Sequence, residues 1–396
     1  MAYDLLTTSG INSLVNSYSA NESQKRILPL KTRQTNFTRI SSIYSGLLSK
    51  VDALKNKMSI LKSTGTSSAF AVKKATSSNT TAVTVSASST AQKGAFALRI
   101  NQLAKNDLVV SLDKNSADFS SITTPGNYTF AIKSGDGDGG QFTSNVSVEL
   151  KASDFINGNI SFKDISSLVT KAINNDKAVV TSNSVSGSTL SSGSFTFNVN
   201  GTEKTIDCSA GTYEEVIDSI ITQLEDVSGL SAEKVVDGSN VQLKLTVTDS
   251  SKYISINGDT GSLVSELGIS VDKEKGASGI VSATSFSPSN GLSQISLTAK
   301  NSGAGFKIED LSDLSGGVLG EFGLNLGSNR TAFVQNESGL DTAGYVHDLS
   351  LLNSKISFNG LNIERNSNSI TDVVAGVTIN LKSVMAIDDN DVTVDV

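Results

Sequence analysis

Residues 33–63, RQTNFTRISSIYSGLLSKVDALKNKMSILKS, carry the strongest periodic signal in this chain of 396 residues. Apolar side chains recur there at alternating spacings of three and four residues: Phe37, Ile40, Tyr44, Leu47, Val51, Leu54, Met58 and Leu61. This is the a/d pattern of a coiled-coil seam, so the sequence predicts a leg helix at 33–65 that packs against another helix. No comparable stripe follows, and we expect the partner in trans or in sequence not included here. The alternative is a core helix of a globular domain.

Residues 1–32 are expected to form a terminal segment that is disordered in the monomer. A narrow apolar stripe at helical spacing lies within it: Ile11, Leu14, Val15 and Tyr18. An isolated helix this short is marginal in water, so order is expected only in an assembly. Pro29 is expected to precede the leg helix, and Gly65 to end it.

From about residue 66 the apolar period changes to two, as in Phe96, Leu98 and Ile100, which indicates half-buried antiparallel strands. The predicted fold is therefore mainly β with α+β modules. An N-terminal coiled-coil helix is followed by a multi-domain antiparallel β-rich head with inserted modules. The predicted divisions of the head are an inner β-rich domain from 66–112 plus 346–396, an inserted module at 113–190, and one or more further modules at 191–345.

Internal repeats are visible in the head. One unit contains an Asn200-Gly201 hairpin turn, followed by a helix whose capping box is formed by Thr212 and Glu215. Residues 264–269, VSELGI, resemble residues 318–324, VLGEFGL. These segments indicate related strand–helix–strand modules.

Composition favours several small cores, because the chain has 33 Gly, no Trp and 6% aromatic residues. The net charge of −7 is uneven: residues 1–62 hold nine Lys and Arg against three acids, or +6, which leaves −13 on residues 63–396. A basic arm can contact nucleic acid, meet an acidic partner surface, or simply be a solvated helix face. Its aromatic residues, Phe37 and Tyr44, lie on the heptad stripe, which does not favour binding of nucleic acid.

The sequence predicts no enzyme and no catalytic, cofactor-binding or metal-binding residues. His347 is the one histidine and Cys208 the one cysteine, so His-rich metal sites are excluded and Cys208 is expected to be a small buried hydrophobe. The acidic stretches at 136–140 and 388–391 are interpreted as polar turns, because an EF-hand starting at Asp136 would need Glu where Ser147 stands.

The N-terminus shows no signal-peptide pattern, and no apolar run has the ~18–20 residues of a membrane span. We therefore expect a soluble chain that leaves the cell, if it does so, by another route.

Several segments resemble, in order, the flagellar filament-capping proteins of the hook-associated protein 2 family. They are Ser9-Gly10-Ile11 with Leu14-Val15, Pro29-Leu30 with the leg helix, Asn359-Gly360, and Gly376 to Lys382. Residues 192–268 resemble the IN module of flagellins and hook-associated proteins. The family's Gly-Ser-Gly-Leu-Asp type opening is here Thr8 to Asn12, a looser match. The Ser-Ser-Gly-Leu-Arg-Ile-Asn opening of flagellin is absent.

The resemblance implies a cap: a ring of copies, commonly five, at the filament tip, with leg domains that contact flagellin. It also implies that residues 1–32 serve export and filament insertion, with Ile11, Leu14, Val15 and Tyr18 as the inserting residues. Further implications are export through the flagellar type III channel, an export chaperone, contact with hook–filament junction proteins, and in some members a host surface ligand. The family's returning C-terminal leg would begin where this sequence stops. A secreted β-repeat surface adhesin and a carbohydrate-active enzyme are the alternatives; the coiled-coil leg disfavours the first, and the lack of Trp-lined grooves the second.

Overall fold

The chain consists of two compact units in a computed structural model that describes the following residues: 7–62, 73–270, 272–336 and 339–396. The first, here the helical unit, comprises Met1–Lys74 with Ala87–Gln92. The second, here the body, comprises Ala75–Ser86 with Lys93–Val396 and holds almost all of the β-structure. The fold is thus an N-terminal helical element and a β-rich body of several parts, as predicted.

Helix α1 spans Thr8–Glu22 and helix α2 spans Leu28–Lys62, and a π-helical turn at Ser23–Ile27 joins them. Thr7 begins the segment as an N-cap, because its side chain accepts a hydrogen bond from the Gly10 amide at 3.1 Å. Such a cap satisfies one of the amides that have no partner in the first turn.

Pro29 lies inside this helical segment, so the predicted helix start at residue 33 was wrong. Proline has no amide hydrogen, and the carbonyl of Lys25 therefore loses its usual donor four residues on. The chain forms a π-turn there, in which the Leu28 amide donates to the Ser23 carbonyl. The backbone of residues 8–32 is helical rather than irregular. Gly65, the expected end of the helix, lies outside the described residues.

In its described residues the body contains four further α-helices: α3 Phe162–Asn175, α4 Tyr213–Leu224, α5 Leu263–Leu267 and α6 Ala277–Ile280. Its described strands, in chain order, are β1 Thr76–Ser77, β2 Val83–Ala87, β3 Ala95–Gln102, β4 Asn106–Val110, β5 Lys114–Asn115, β6 Gly126–Gly135, β7 Gln141–Leu150, β8 Val179–Thr181, β9 Thr189–Leu190, β10 Gly193–Val199, β11 Thr202–Cys208, β12 Gly211–Thr212, β13 Leu230–Asp237, β14 Asn240–Val247, β15 Tyr253–Thr260, β16 Lys273–Lys275, β17 Val281–Phe286, β18 Leu292–Ser302, β19 Ile308–Ser315, β20 Val334–Asn336, β21 Gly339–Thr342, β22 Gly344–Tyr345, β23 Ser354–Phe358, β24 Leu361–Arg365, β25 Ser369–Ile370, β26 Val377–Leu381 and β27 Val392–Asp395.

Strands from the two ends of the body form one sheet, with the order β1-β27-β3-β23-β24. The alternating residues Leu98 and Ile100 of β3 are fully buried, as is Val394 of β27. A smaller sheet, β2-β26-β25, again joins the beginning of the body to its end. The residues between β3 and β23 are therefore inserted into a domain formed by these two sheets.

The inserted part contains one arrangement built twice. In residues 178–269, here the inner module, the hairpin β10–β11 is followed by α4, the hairpin β13–β14 and β15, which pairs with β10. In residues 106–175 with 277–345, here the outer module, the same order is β6–β7, α3, β17–β18 and β19, which pairs with β6. Each module has its own buried apolar cluster. The inner module is inserted into the outer one directly after α3.

Matching hydrogen bonds support the duplication. In the outer module the Gln294 side chain donates to the Ser111 carbonyl at 2.8 Å, and in the inner module Gln242 donates to the Ser182 carbonyl at 2.6 Å. Both serine hydroxyls accept an amide from the residue after the glutamine, at 2.8 and 2.9 Å. The predicted division into 113–190 and 191–345 differs from this nesting, because residues from both sides of the inner module share the outer core.

The two modules join at β16, which pairs antiparallel with β15 of the inner module and parallel with β7 of the outer one. A single seven-stranded sheet thereby crosses both modules, in the order β11-β10-β15-β16-β7-β6-β19. The chain enters and leaves the inner module side by side. A Cβ added at Gly276 would lie 2.5 Å from the Lys177 Cα, and the Ala277 amide donates to the Asp176 carboxylate at 2.7 Å.

Two turns and one cap predicted from sequence are confirmed. Asn200-Gly201 connects β10 to β11 with φ of 51° and 89°, and Asn359-Gly360 connects β23 to β24 with φ of 48° and 82°. Positive φ at both central residues is what a two-residue hairpin turn of this kind requires. Thr212 and Glu215 form the reciprocal capping box of α4.

Candidate assembly interface

The apolar stripe predicted for the leg helix lies on the surface of α2. Its described members are all exposed, from 42% for Ile40 to 71% for Phe37: they are Phe37, Ile40, Tyr44, Leu47, Val51, Leu54 and Met58. The side chain of Leu61 is outside the described residues. At ~1.5 Å per residue the stripe runs for ~30 Å along the helix. Contiguous exposed apolar surfaces of this size are typical of interaction sites in general.

The second predicted set, on α1, is exposed as well: Ile11, Leu14, Val15 and Tyr18. None of the described side chains of α1 is buried. The sequence therefore predicted helical spacing correctly. The roles assigned to both stripes stay predictions.

The helical unit is also basic on its surface. Lys50, Lys55 and Lys57 lie on exposed turns of α2, and Asp52 is the one acidic residue between 33 and 59. On the neighbouring π-turn Arg26 pairs with Glu22 at 2.6 Å. Such surface pairs add little to stability, so the charge of this unit remains available for a partner.

Cysteine, histidine and acidic side chains are the groups of the body that could carry chemistry. Cys208 is buried in the inner core as predicted, and its thiol pKa is raised by burial. His347 lies two residues after β22, where its backbone carbonyl accepts a hydrogen bond from Arg330 at 3.0 Å. Among the described residues, no three His, Cys, Asp or Glu side chains are grouped as a metal site would need.

The two acidic stretches are turns, as interpreted from sequence. The Asp136 carboxylate accepts the amides of Asp138 and Gly140 at 2.9 and 2.8 Å, which closes the β6–β7 hairpin. Its other oxygen pairs with Lys273 of β16 at 2.5 Å. In the second stretch Asp389 accepts the Ala386 amide at 2.7 Å. These carboxylates hold the backbone rather than a ligand.

Two buried charged groups were not found by sequence reasoning. Asp107 is fully buried and accepts both terminal nitrogens of Arg330 at 2.7 Å, while the guanidinium stacks 3.9 Å from the Tyr345 ring centroid. Glu274 of β16 is buried at the module junction. No local pattern marks either residue, because each depends on contacts with distant parts of the chain.

Comparison with known proteins is informative at the N-terminal end. Residues 9–107 match the family described as flagellar hook-associated protein 2 N-terminus. The A-type flagellar hook-associated protein 2 of Pseudomonas aeruginosa is 26% identical over 170 residues, which cover 41% of this chain and 35% of that protein. The N-terminal part of the chain is thus similar to the flagellar hook-associated protein 2 family. The chain spans about a third of the length of this curated relative of the family.

Solved members of the hook-associated protein 2 family are structurally similar at low sequence identity. The D1-D2-D3 domains of the Escherichia coli flagellar cap protein align at 14% identity and a TM-score of 0.37, covering 89% of this chain and 62% of that one. The D2-D3 domains of the Serratia marcescens cap protein align at 12% identity and a TM-score of 0.37, covering 80% and 99%. Within the described residues, no helix has both the length and the apolar character that crossing a membrane requires.

Proposed function

We propose that this chain caps the distal end of a bacterial flagellar filament. Copies of it form a ring, five in the commonest case, that promotes folding and insertion of exported flagellin and prevents its leakage. The family match at residues 9–107 supports this proposal. The observation that carries it is the exposed heptad stripe on α2, since a helix with an unburied seam is built for assembly.

The helical unit acts as the leg. Residues of the α2 stripe pack the leg against its neighbours, and the α1 stripe inserts into the filament. Exposed apolar contacts of this size are individually weak, since each side chain contributes about 1–2 kcal/mol when it is only partly covered. Weak contacts allow a leg to release and rebind as each flagellin subunit is added.

The partners follow from the same proposal. They are other copies of the chain, flagellin, the hook–filament junction proteins, a cytoplasmic export chaperone and, in an added role in adhesion, a host surface ligand. The chain travels through the flagellar type III channel and acts outside the cell at the filament tip.

Deleting the gene and blotting the culture medium for flagellin tests the function. We expect monomeric flagellin in the medium and absent or short filaments. Filaments of normal length without leaked flagellin would overturn the cap assignment and favour the adhesin.

Replacing both Leu47 and Leu54 with Asp in the full-length protein tests the leg. Two charges in the seam should abolish capping and leave the thermal unfolding of the body unchanged. The control changes Ser42 and Ser49 to Asp, because these exposed residues lie on the opposite face of α2. Motility that is normal in the leucine variant would contradict the proposed role of the stripe.

A further inference from the structure

At two strand edges of the body, a side-chain amide makes the hydrogen bonds that a neighbouring strand would make. On β17 of the outer module, the Asn174 side chain donates to the Ala283 carbonyl at 2.7 Å and accepts the Ala283 amide at 3.0 Å. On β11 of the inner module, Gln223 makes the same two bonds to Asp207, at 2.8 and 3.0 Å. An edge closed in this way cannot pair with another strand.

Strand β13 of the inner module is the counterpart of β17, but its edge is open. Ala232 pairs with Leu245 of β14, as Ala283 pairs with Leu297 of β18. The backbone groups of β13 that point away from β14 are those of Ala232, Lys234 and Val236. Within the described residues, none of these amides and carbonyls has a hydrogen-bond partner.

The edge is open because one residue differs between the modules. Asn174 of α3 and Glu225 at the end of α4 lie equally far from the N-caps of their helices, Ser161 and Thr212. A carboxylate accepts hydrogen bonds but has no hydrogen to donate to a carbonyl, so Glu225 cannot replace the amide of Asn174. The eight residues of β13 therefore form an edge strand that the outer module would have closed.

The face of this edge on the side of α4 is acidic. Glu214 and Asp218 lie there, and Lys234 of β13 pairs with both, at 2.8 and 2.9 Å. In the outer module the matched positions of α3 hold Lys163 and Ser167. The acidic character is thus particular to the inner module, as the open edge is.

The opposite face of the edge is acidic as well. Glu233 and Asp237 of β13 are exposed there, and Lys244 of β14 pairs with Glu233 at 2.9 Å. Together with Glu214, Asp218 and Glu225, the edge has five carboxylates against two ammonium groups, a net charge of −3. A strand that carries Lys or Arg complements this charge on both faces.

We propose that the β13 edge binds an extended basic segment of another protein, which joins the three-stranded inner sheet as a fourth strand. Its backbone pairs with Ala232, Lys234 and Val236, and its basic side chains meet the carboxylates. Val236, which is 60% exposed, adds an apolar contact. A second copy of β13 is disfavoured, because two acidic edges would then face each other. The inference goes beyond the cap proposal and does not rest on it.

Synthetic peptides of ~10 residues test the proposal on the full 396-residue chain. The first peptide alternates Lys with Val, and the second has Glu in place of Lys. The third has the side chains of the first, but all its backbone amides are methylated and cannot donate hydrogen bonds. Binding is followed by fluorescence anisotropy. We expect the Lys peptide to bind at least about tenfold more tightly than the other two, and added salt to weaken its binding.

Three variants of the chain separate the open edge from its charge. Glu225→Ala removes one carboxylate, whereas Glu225→Asn also supplies the amide found in the outer module. We expect the Lys peptide to bind about two- to threefold more weakly to the alanine variant and at least about tenfold more weakly to the asparagine variant. Ala232→Pro removes one outward amide but no bond to β14, so it should weaken binding while the thermal unfolding of the inner module shows that it still folds.

Equal loss of binding in Glu225→Asn and Glu225→Ala would overturn the open edge. Equal binding of the Lys peptide and the methylated peptide, or of the Lys and Glu peptides, would overturn strand addition by a basic segment, as would no binding at ~1 mM peptide. Self-association of the parent chain that is lost in Ala232→Pro would show that a second copy occupies the edge, and would overturn the proposal as well.

Discussion

The inner and outer modules have the same order of elements, but the chain completes them differently. Residues 178–269 of the inner module are continuous, so its core can close from one stretch of chain. The two halves of the outer module are separated by the inner one. Its strand β19 pairs with β6 only when residues such as Thr129 and Ser315, 186 positions apart, meet. What both retain is the set of serine, glutamine and glutamate hydrogen bonds to the backbone. Both modules therefore satisfy the backbone groups at these matched positions in the same way.

The modules also differ in charge at one matched position. Asp107 of the outer module occupies the place of Ala178 in the inner one, four residues before the paired serines Ser111 and Ser182. Asp107 accepts the Ile308 amide at 2.9 Å as well as Arg330, so it ties β4 to β19 and to the segment before β20. The outer module thus adds a buried ion pair where the inner module uses only a small side chain.

Truncating the matched core phenylalanines should have the largest effect on the stability of the two modules. Phe195→Ala in the inner module and Phe130→Ala in the outer one each remove a fully buried ring, at a cost of about 3–5 kcal/mol. We expect Phe195→Ala to remove an inner unfolding transition while the outer core persists, and Phe130→Ala to leave the inner core protected. Calorimetry with hydrogen exchange measures both. Joint loss of both cores in each variant would show that the modules fold as one unit.

Arg330→Ala should destabilise the outer module by about 3–5 kcal/mol, because it leaves Asp107 buried without its partner. Combining it with Asp107→Ala, which reproduces the Ala178 arrangement, should recover part of that loss. Urea unfolding of the two variants gives the free energies. A double variant less stable than Arg330→Ala would contradict the account.

The stability of the junction between the two modules at β16 should depend on pH. Burial raises the pKa of Glu274 to about 7, with Asp272 and Asp176 adding to the rise while Ser270 and Lys133 oppose it. The folded state therefore holds a proton that the unfolded state releases near its ordinary value of 4.5. The contribution of Glu274 to stability is then fully present below pH ~4.5 and is lost as pH rises through ~7, by on the order of 3 kcal/mol.

Glu274→Gln is the matched variant for this effect. It should reduce the fall in unfolding free energy between pH 5 and pH 8, measured by urea titration at each pH. A pH profile unchanged by the substitution would place the dependence elsewhere, with Asp176 as the next group to replace, since burial raises its pKa too.

The smallest effect on stability should come from replacing two matched glutamates, one in each module, that each accept two hydrogen bonds from a serine. Glu266 accepts the amide and hydroxyl of Ser191 at 2.8 and 2.9 Å, and Glu321 makes the same pair of bonds to Ser121. Replacing either glutamate with Ala should cost about 1 kcal/mol, because both are half-buried. Denaturant midpoints of the two variants should shift by similar amounts. Clearly unequal shifts would show that the two glutamates have the same geometry but contribute differently to stability.

The features that sequence predicted well are those set by neighbouring residues. Asn200-Gly201 and Asn359-Gly360 set their own turn geometry, and the capping box of α4 lies within four residues. The exposed stripe of α2 is likewise a local period. The similarity of residues 264–269 to 318–324 indicated a repeat. In both segments the residue before the last is a glycine in the left-handed conformation, Gly268 or Gly323.

What sequence missed depends on distant contacts or on an uncommon local solution. Pro29 usually ends a helix, so the π-turn that carries the helix through it was not expected. The nesting of modules depends on β16, whose three residues pair with β15 and with β7, more than 100 residues earlier. The Asp107–Arg330 pair joins residues over 200 positions apart. No window along the chain contains both members of these contacts.

The contact between Lys177 and Gly276 makes the inner module exchangeable. The chain enters and leaves the inner module at adjacent points. A few Gly and Ser residues in place of residues 178–275 would therefore only have to connect Lys177 to Gly276, where an added Cβ would lie 2.5 Å from the Lys177 Cα. Any foreign domain whose own ends lie together could be grafted at the same place. The outer module is thus a suitable scaffold for the insertion of an unrelated domain.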